Sequence, residues 1–218
     1  AQNGKYEILE NKNVDTGMGV ERALVVYNGL SSVYDIEVFV MLRAKLEELT
    51  LKKYEENLKP FRVILDHIRT SVFVLGDDAA LLPSNVGAGY VLRRIIRRMV
   101  RYMKNLGVET SIMSALANIV IDYYKNDYKE LDRNRNFIIS SLEEEEIKFN
   151  KTLNSGVKMF NKVTSSLEGD TIDGTSAFKL FDTFGFPIEF TVEMALEKGL
   201  KVDIEGFNAK FKEHQELS

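Results

Sequence analysis

Two groups of residues in this sequence have types and spacings suited to chemistry. The first is Asp15-Thr16-Gly17-Met18-Gly19-Val20-Glu21-Arg22. Glycines at alternate positions let a flat ligand lie against bare backbone. An arginine just inside a following helix can offer its planar fork to a phosphate close to the helix N-terminus. The competing reading is a glycine-rich turn with a surface arginine, since short motifs of this kind recur without function. The second group is a basic helix carrying Arg93, Arg94, Arg97, Arg98, Arg101 and Lys104. At about 100° per residue these fall on one broad face, while Leu92, Ile95, Ile96, Met99 and Met103 supply an apolar one. No acid interrupts Tyr90 to Lys104, so a phosphate-tracking surface is one expectation. The other is a solvated face paired with acidic neighbours, for which Glu143-Glu144-Glu145-Glu146 is the obvious partner.

The elements that must position these residues read as mostly helical. Helical spacing of apolar residues runs from Val20 to Tyr27 and stops at Asn28-Gly29. An amphipathic stretch follows over Ile36 to Leu51, with Phe39, Leu42, Leu46 and Leu49 on one stripe. Pro60 opens the next helix, Pro60 to Gly76, a proline being well tolerated in the first turn. Asp77 to Ala88 reads as a loop, Tyr90 to Leu106 as the basic helix and Ser111 to Tyr124 as another. A long charged helix is expected over roughly Leu131 to Leu167, with a possible break at Asn154-Ser155-Gly156. Two short helices, Glu189 to Lys198 and Glu205 to Leu217, close the chain. Ahead of all this, Tyr6-Glu7-Ile8-Leu9 reads as a strand leading into Asp15 to Gly19.

Composition narrows the class. With 218 residues, 44% hydrophobic and 28% charged, the chain is an ordinary globular one of one or two domains. The absence of cysteine removes disulfides and thiolate metal sites. His67 and His214 are too isolated in sequence to suggest a zinc site, so no metal is expected. Without a long apolar run or a leader pattern, a soluble, cytosolic protein is expected. The formal charge of −4 speaks mildly against a nucleic-acid partner, but the basic helix makes the distribution uneven.

Longer strings sharpen the reading. Gly17-Met18-Gly19-Val20-Glu21-Arg22 resembles motif 3 of the class II aminoacyl-tRNA synthetases, and Lys12 to Arg22 as a whole is similar to the alanyl-tRNA synthetase version. Pro83-Ser84-Asn85 followed by Gly89 to Arg98 resembles a second block of that family, which usually has arginine where Ala88 stands. Leu180-Phe181-Asp182-Thr183-Phe184-Gly185-Phe186-Pro187 resembles a third, often with Tyr at the place of Phe184. Arg62 to Arg69, Glu143 to Gly156 and Val202 to Phe207 are weaker echoes, and the blocks follow in the family's order.

The resemblance implies a mainly α fold: a short β/α remnant of a class II catalytic domain with exit helices over residues 1–58, then a helical tRNA-recognition domain over 59–218. It implies an internal piece of a larger ligase that activates alanine with ATP and magnesium and transfers it to tRNA(Ala), the piece itself binding no cofactor and catalysing nothing. Gly17, Gly19 and Arg22 would bind ATP, and Asp15 the ammonium group of alanine. Asn85 and Asp182 would read a G·U pair in the acceptor stem. Arg93, Arg94, Arg97, Arg98 and Arg101 would follow its phosphates. Without the family, Asn85 and Asp182 both read as surface loop or turn residues, and His67 as a packed or capped helix residue. The alternatives are a non-catalytic RNA-binding module descended from such an enzyme and a helical scaffold whose basic face meets only protein.

Overall fold

The computed structural model describes residues 10–217; the strand expected at Tyr6 to Leu9 lies outside them. By internal contacts the chain divides into two compact units, Ala1–Val40 and Met41–Ser218.

In the first unit, residues 12–19 carry no regular secondary structure. The strand expected to run through the glycines is therefore not formed there. Among the described residues the only paired strands lie elsewhere, so no neighbour offers this stretch a hydrogen-bonded ladder. Helix α1 (Val20–Asn28) follows and ends at Gly29, whose φ of 62° closes it in a left-handed cap. A 3₁₀ turn covers Val33–Asp35, with the Ser32 hydroxyl accepting from the Tyr34 amide at 3.2 Å.

Helix α2 (Glu37–Thr50) leads into the second unit. There α3 (Leu58–Gly76) is the central rod, burying Phe61, Ile64, Leu65, Ile68, Val72 and Leu75. Around it pack α4 (Gly87–Asn105), α5 (Met113–Tyr124), the short α6 (Lys129–Arg133) and α7 (Arg135–Ser165). The long charged helix starts later than its periodicity suggests, because Asn134 separates α6 from α7. It also passes unbroken through Asn154-Ser155-Gly156. Gly156 serves close packing: a Cβ there would strike the Phe186 ring.

The remainder is built from two strand–helix repeats. Strand β1 (Thr171–Ile172) precedes α8 (Gly174–Phe184) and α9 (Ile188–Glu197); β2 (Lys201–Val202) precedes α10 (Ile204–Leu217). The strands pair in parallel, Thr171 with Lys201 and Ile172 with Val202. Each is followed by an aspartate whose Oδ1 accepts a backbone N–H three residues on, at 2.9 Å from Asp173 to Ser176 and from Asp203 to Gly206. Asp182, expected in a turn, lies in the last turn of α8. The turn signal belongs to Gly185, which caps that helix with φ 66°.

Candidate functional site

The arginines of α4 are held by carboxylates from two other helices. Arg93 and Arg97 both turn to Glu145 of α7, with Nε atoms 3.3 and 2.7 Å from its Oε1. Glu145 is only 3% exposed, and one carboxylate there serves two guanidinium groups, which leaves positive charge on this wall. Arg97 also donates to the Gly185 carbonyl at 2.5 Å and lies over the Phe149 ring, 5.1 Å from its centroid. Burial pulls its guanidinium below the usual arginine value, and Glu145 works against that shift. Of the run Glu143 to Glu146, then, only Glu145 meets the arginines. Burial raises Glu146, to which Ser111 donates, and the exposed Glu144 pairs with Lys148.

The other acidic partners come from α9, where Glu189, Glu193 and Glu197 recur every fourth residue along one face. Arg94 and the Tyr90 hydroxyl donate to Glu189. Arg98 grips Glu193 with two bonds of 2.8 and 3.1 Å, joined by the Tyr102 hydroxyl at 2.6 Å. Arg101 bridges Glu193 and Glu197. Burial alone would raise the Glu193 carboxyl, but the hydrogen bonds from Arg98 and Tyr102 prevail and hold it down at about 2. Arg101 is 7% exposed and Arg94 36%, so the two ends of the same helix face differ in what they leave open. That glutamate stripe was readable as a four-residue spacing, but sequence reasoning looked for the partner in the denser run at 143–146. His67 belongs to this network as well: its Nδ1 lies 3.1 Å from Asp66 and its Nε2 3.3 Å from the Arg98 Nη1. Because arginine only donates, the Nε2 must accept, which places the ring proton on Nδ1 toward Asp66.

Beside the Arg93–Arg97 wall opens a cleft of about 590 Å³. The loop before α4 contributes Asn85, α8 contributes Phe181 and Asp182, and α10 contributes Phe211, His214 and Gln215. The Asn85 side-chain carbonyl accepts from Arg93 Nη1; its NH₂ group is therefore the end left to donate elsewhere. The Asp182 side chain is 46% exposed and offers only acceptors. A donor and an acceptor from distant parts of the sequence thus share one cleft bordered by positive charge. Ala88, the departure from the family pattern, is exposed in the first turn of α4.

The Asp15–Arg22 segment is built differently. Asp15, Gly17, Gly19 and Arg22 are all exposed. A Cβ at Gly17 would meet nothing within 4 Å, and one at Gly19 only the Glu21 and Arg22 side chains at 3.8 and 3.9 Å. Bare backbone open to the approach of a ligand fits a nucleotide. Among the described residues no group of three or more His, Asp or Glu side chains is placed to hold a metal ion. No helix of the described residues is long and apolar enough to cross a membrane.

With helices, network and cleft in place, comparison with known proteins gives the class. The sequence matches the family described as tRNA synthetases class II (A) over residues 1–218, and the chain belongs to that family. An alanine–tRNA ligase of Borrelia hermsii (strain HS1 / DAH) is 48% identical to it over 220 residues, covering 100% of this chain and 37% of the relative. One of Treponema pallidum (strain Nichols) is 44% identical over 221 residues, 99% of this chain and 36% of the relative. A third, of Lysinibacillus sphaericus (strain C3-41), is 42% identical over 231 residues, 98% of this chain and 25% of the relative. The chain thus spans well under half the length of these curated relatives.

Proposed function

We propose that this chain is the part of an alanine–tRNA ligase that carries the ATP-binding arginine motif and reads the tRNA acceptor stem. The parent reaction is activation of alanine with ATP, then transfer to the 3′ end of tRNA(Ala). Residues 1–58 are assigned to the end of the catalytic domain and 59–218 to the tRNA-recognition domain. Arg22, with Gly17 and Gly19, faces the ATP phosphates, and Asp15 takes the alanine ammonium group. By itself the chain is expected to be inactive, and a cytosolic setting follows from the substrate. The family also implies magnesium, and the role assigned to these residues does not depend on it.

The observation that carries the reading is that Asn85 and Asp182 line one cleft with opposite hydrogen-bonding sense. In the wide minor groove of an A-form stem, guanine presents its exocyclic amine, a donor suited to Asp182. Pyrimidine O2 and the ribose hydroxyl present acceptors suited to the Asn85 NH₂ group. In a G·U wobble the amine is not used in pairing, whereas G·C takes one of its hydrogens, so the carboxylate has reason to prefer the wobble. Phosphate contact falls first to Arg93, Arg94 and Arg98; Arg97 and Arg101 are held more deeply and brace the wall. The test is charging of G·U and G·C acceptor stems by the full-length ligase and its Asp182→Ala and Asn85→Ala variants. An undiminished preference for G·U in both variants overturns the reading.

A further inference from the structure

Helix α10 forms the third wall of the cleft, and sequence reasoning gave it no role. It is seated tightly on α8. Gly174, in the first turn of α8, lies so close to the Gly206–Phe207 backbone of α10 that a Cβ would overlap it. Further along, Phe181 packs edge-on against Phe207 and Phe211, with ring centroids 5.6 and 5.4 Å apart. The last contact of this seam is polar. The His214 ring lies 5.6 Å from the Phe178 ring, and its Nε2 is 3.8 Å from Oδ1 of Asp182.

We infer that His214 is a positioning residue for base-pair reading: it holds one carboxylate oxygen of Asp182 from the α10 side, so that the other is presented to the RNA. This rests on the reading of the cleft proposed above. Asp182 sits in the last turn of α8 with nearly half its side chain exposed. Such a side chain samples several rotamers unless something restrains it. No hydrogen bond within α8 does so in the way that Arg93 fixes Asn85. The Phe178 ring beside His214 limits the imidazole in turn. An imidazolium attracts the carboxylate more strongly than a neutral ring, which gives the arrangement a pH signature.

Charged and titratable groups face this point from three helices. Asp182 comes from α8, and Arg93, Arg97 and Tyr90 from α4. On α10 itself Lys210 and Glu213 pair with each other at 2.8 Å. Preference for G·U should accordingly be greater where the imidazole carries a charge and fall as the pH rises. The size expected is that of an exposed ion pair, about a two- to fivefold change in preference.

The experiment measures binding of this chain to acceptor-stem RNA hairpins that differ only in a G·U or G·C pair, by fluorescence anisotropy at pH 5.5 and 8. Wild type is compared with Asp182→Ala, His214→Ala and His214→Lys, each with a thermal melt. The expected result is loss of preference in Asp182→Ala and a reduced, pH-independent preference in His214→Ala. His214→Lys, which keeps a cation at that place, should restore the preference without the pH dependence. If Asp182→Ala loses the preference while His214→Ala keeps it, with the wild-type pH profile, the role of His214 is overturned and the cleft reading stands. If wild type shows no preference, or Asp182→Ala keeps it, the cleft reading fails and His214 with it. If both His214 variants melt early and lysine restores nothing, His214 only seats the helix and the inference is wrong.

Discussion

The segment from Asp15 to Arg22 and the cleft around Asn85 and Asp182 carry comparably specific sequence signatures, yet the molecule treats them in opposite ways. In the first, Asp15, Gly17, Gly19 and Arg22 are exposed, and space stands open over the glycines. In the second, a candidate residue is tied to a scaffold: Asn85 to Arg93, Arg93 to Glu145, and Glu145 to Arg97, which braces the cap of α8. A motif therefore marks where chemistry belongs without saying whether the surrounding chain holds it in place. For the cleft this second unit supplies its own scaffold. Over Gly17 and Gly19 the described residues leave open space instead.

The largest effect expected from that contrast lies at Glu145. Removing it leaves two guanidinium groups, both largely buried, without their shared counter-ion. Breaking one side of a buried charge cluster costs about 3–5 kcal/mol. Glu145→Ala should therefore lower the chain's unfolding free energy by an amount of that order in urea titrations. Glu144→Ala, which removes only an exposed pair with Lys148, should cost less than about 0.5 kcal/mol. Equal losses would show that the buried network is not what holds the wall.

The next effect is on discrimination. Because base contacts specify while phosphate contacts position, Asp182→Ala or Asn85→Ala in the full-length ligase should reduce the preference for G·U over G·C. A good base contact is worth about 1–3 kcal/mol of discrimination, roughly five- to 150-fold. Melting should barely change, since both side chains are exposed. A large melting loss with intact preference would reassign Asp182 to the helix cap.

These outcomes bear on what the sequence could show. The amphipathic helices were legible because their apolar residues recur at helical spacing: α3 and α4 fall close to where periodicity puts them. The β1–β2 pair was not, since two residues are too few to show alternation. Asp182 was misplaced into a turn because Gly185-Phe186-Pro187 is a strong stop signal, and the helix runs up to that signal. The roles of Asn85 and Asp182 came only from resemblance; either residue alone reads as turn chemistry. The destiny of the arginines was illegible for another reason. A charge run announces itself, while its partners Glu189, Glu193 and Glu197 are dilute and come from a helix far along the chain. Which end of α4 stays open is decided by tertiary packing.

That division of α4 yields a smaller effect. RNA affinity should fall with salt at a log–log slope of about −0.7 to −0.9 per phosphate contact. Arg93→Gln and Arg94→Gln should each flatten the slope by roughly one such contact. Arg101→Gln, at the closed end of the face, should leave it unchanged while lowering stability. A uniform response across the three would mean that the helix presents one continuous phosphate surface.

The closed end also has an acid signature. Glu193 is held at about 2 against an ordinary value of 4.5. A depressed carboxylate contributes stability that is complete above its unfolded-state value and disappears as the pH falls through the folded one. Its share should thus be present at neutral pH and decay between about pH 4.5 and 2. Glu193→Gln should make the stability of the chain less steep over that interval; an unchanged acid profile would show that the Arg98 and Tyr102 bonds do not govern it.

The smallest effect separates the two regions most cleanly. Arg22→Ala and Asp15→Ala should leave the melting of this chain unchanged within about 0.5 kcal/mol, the range of surface substitutions away from special features. Both side chains are exposed. Arg97→Ala, by contrast, removes a buried cation over Phe149 and leaves the buried Glu145 with Arg93 alone, so it should destabilise strongly. In the full-length ligase the order reverses: Arg22→Ala should abolish alanine-dependent pyrophosphate exchange, whereas the effect of Arg97→Ala should follow its loss of fold. On the proposed reading Arg22 meets a phosphate only when ATP is bound, while Arg97 meets its carboxylate partner in the folded chain itself. A melting loss at Arg22 comparable to that at Arg97 would make it a structural arginine and remove the distinction between the two regions.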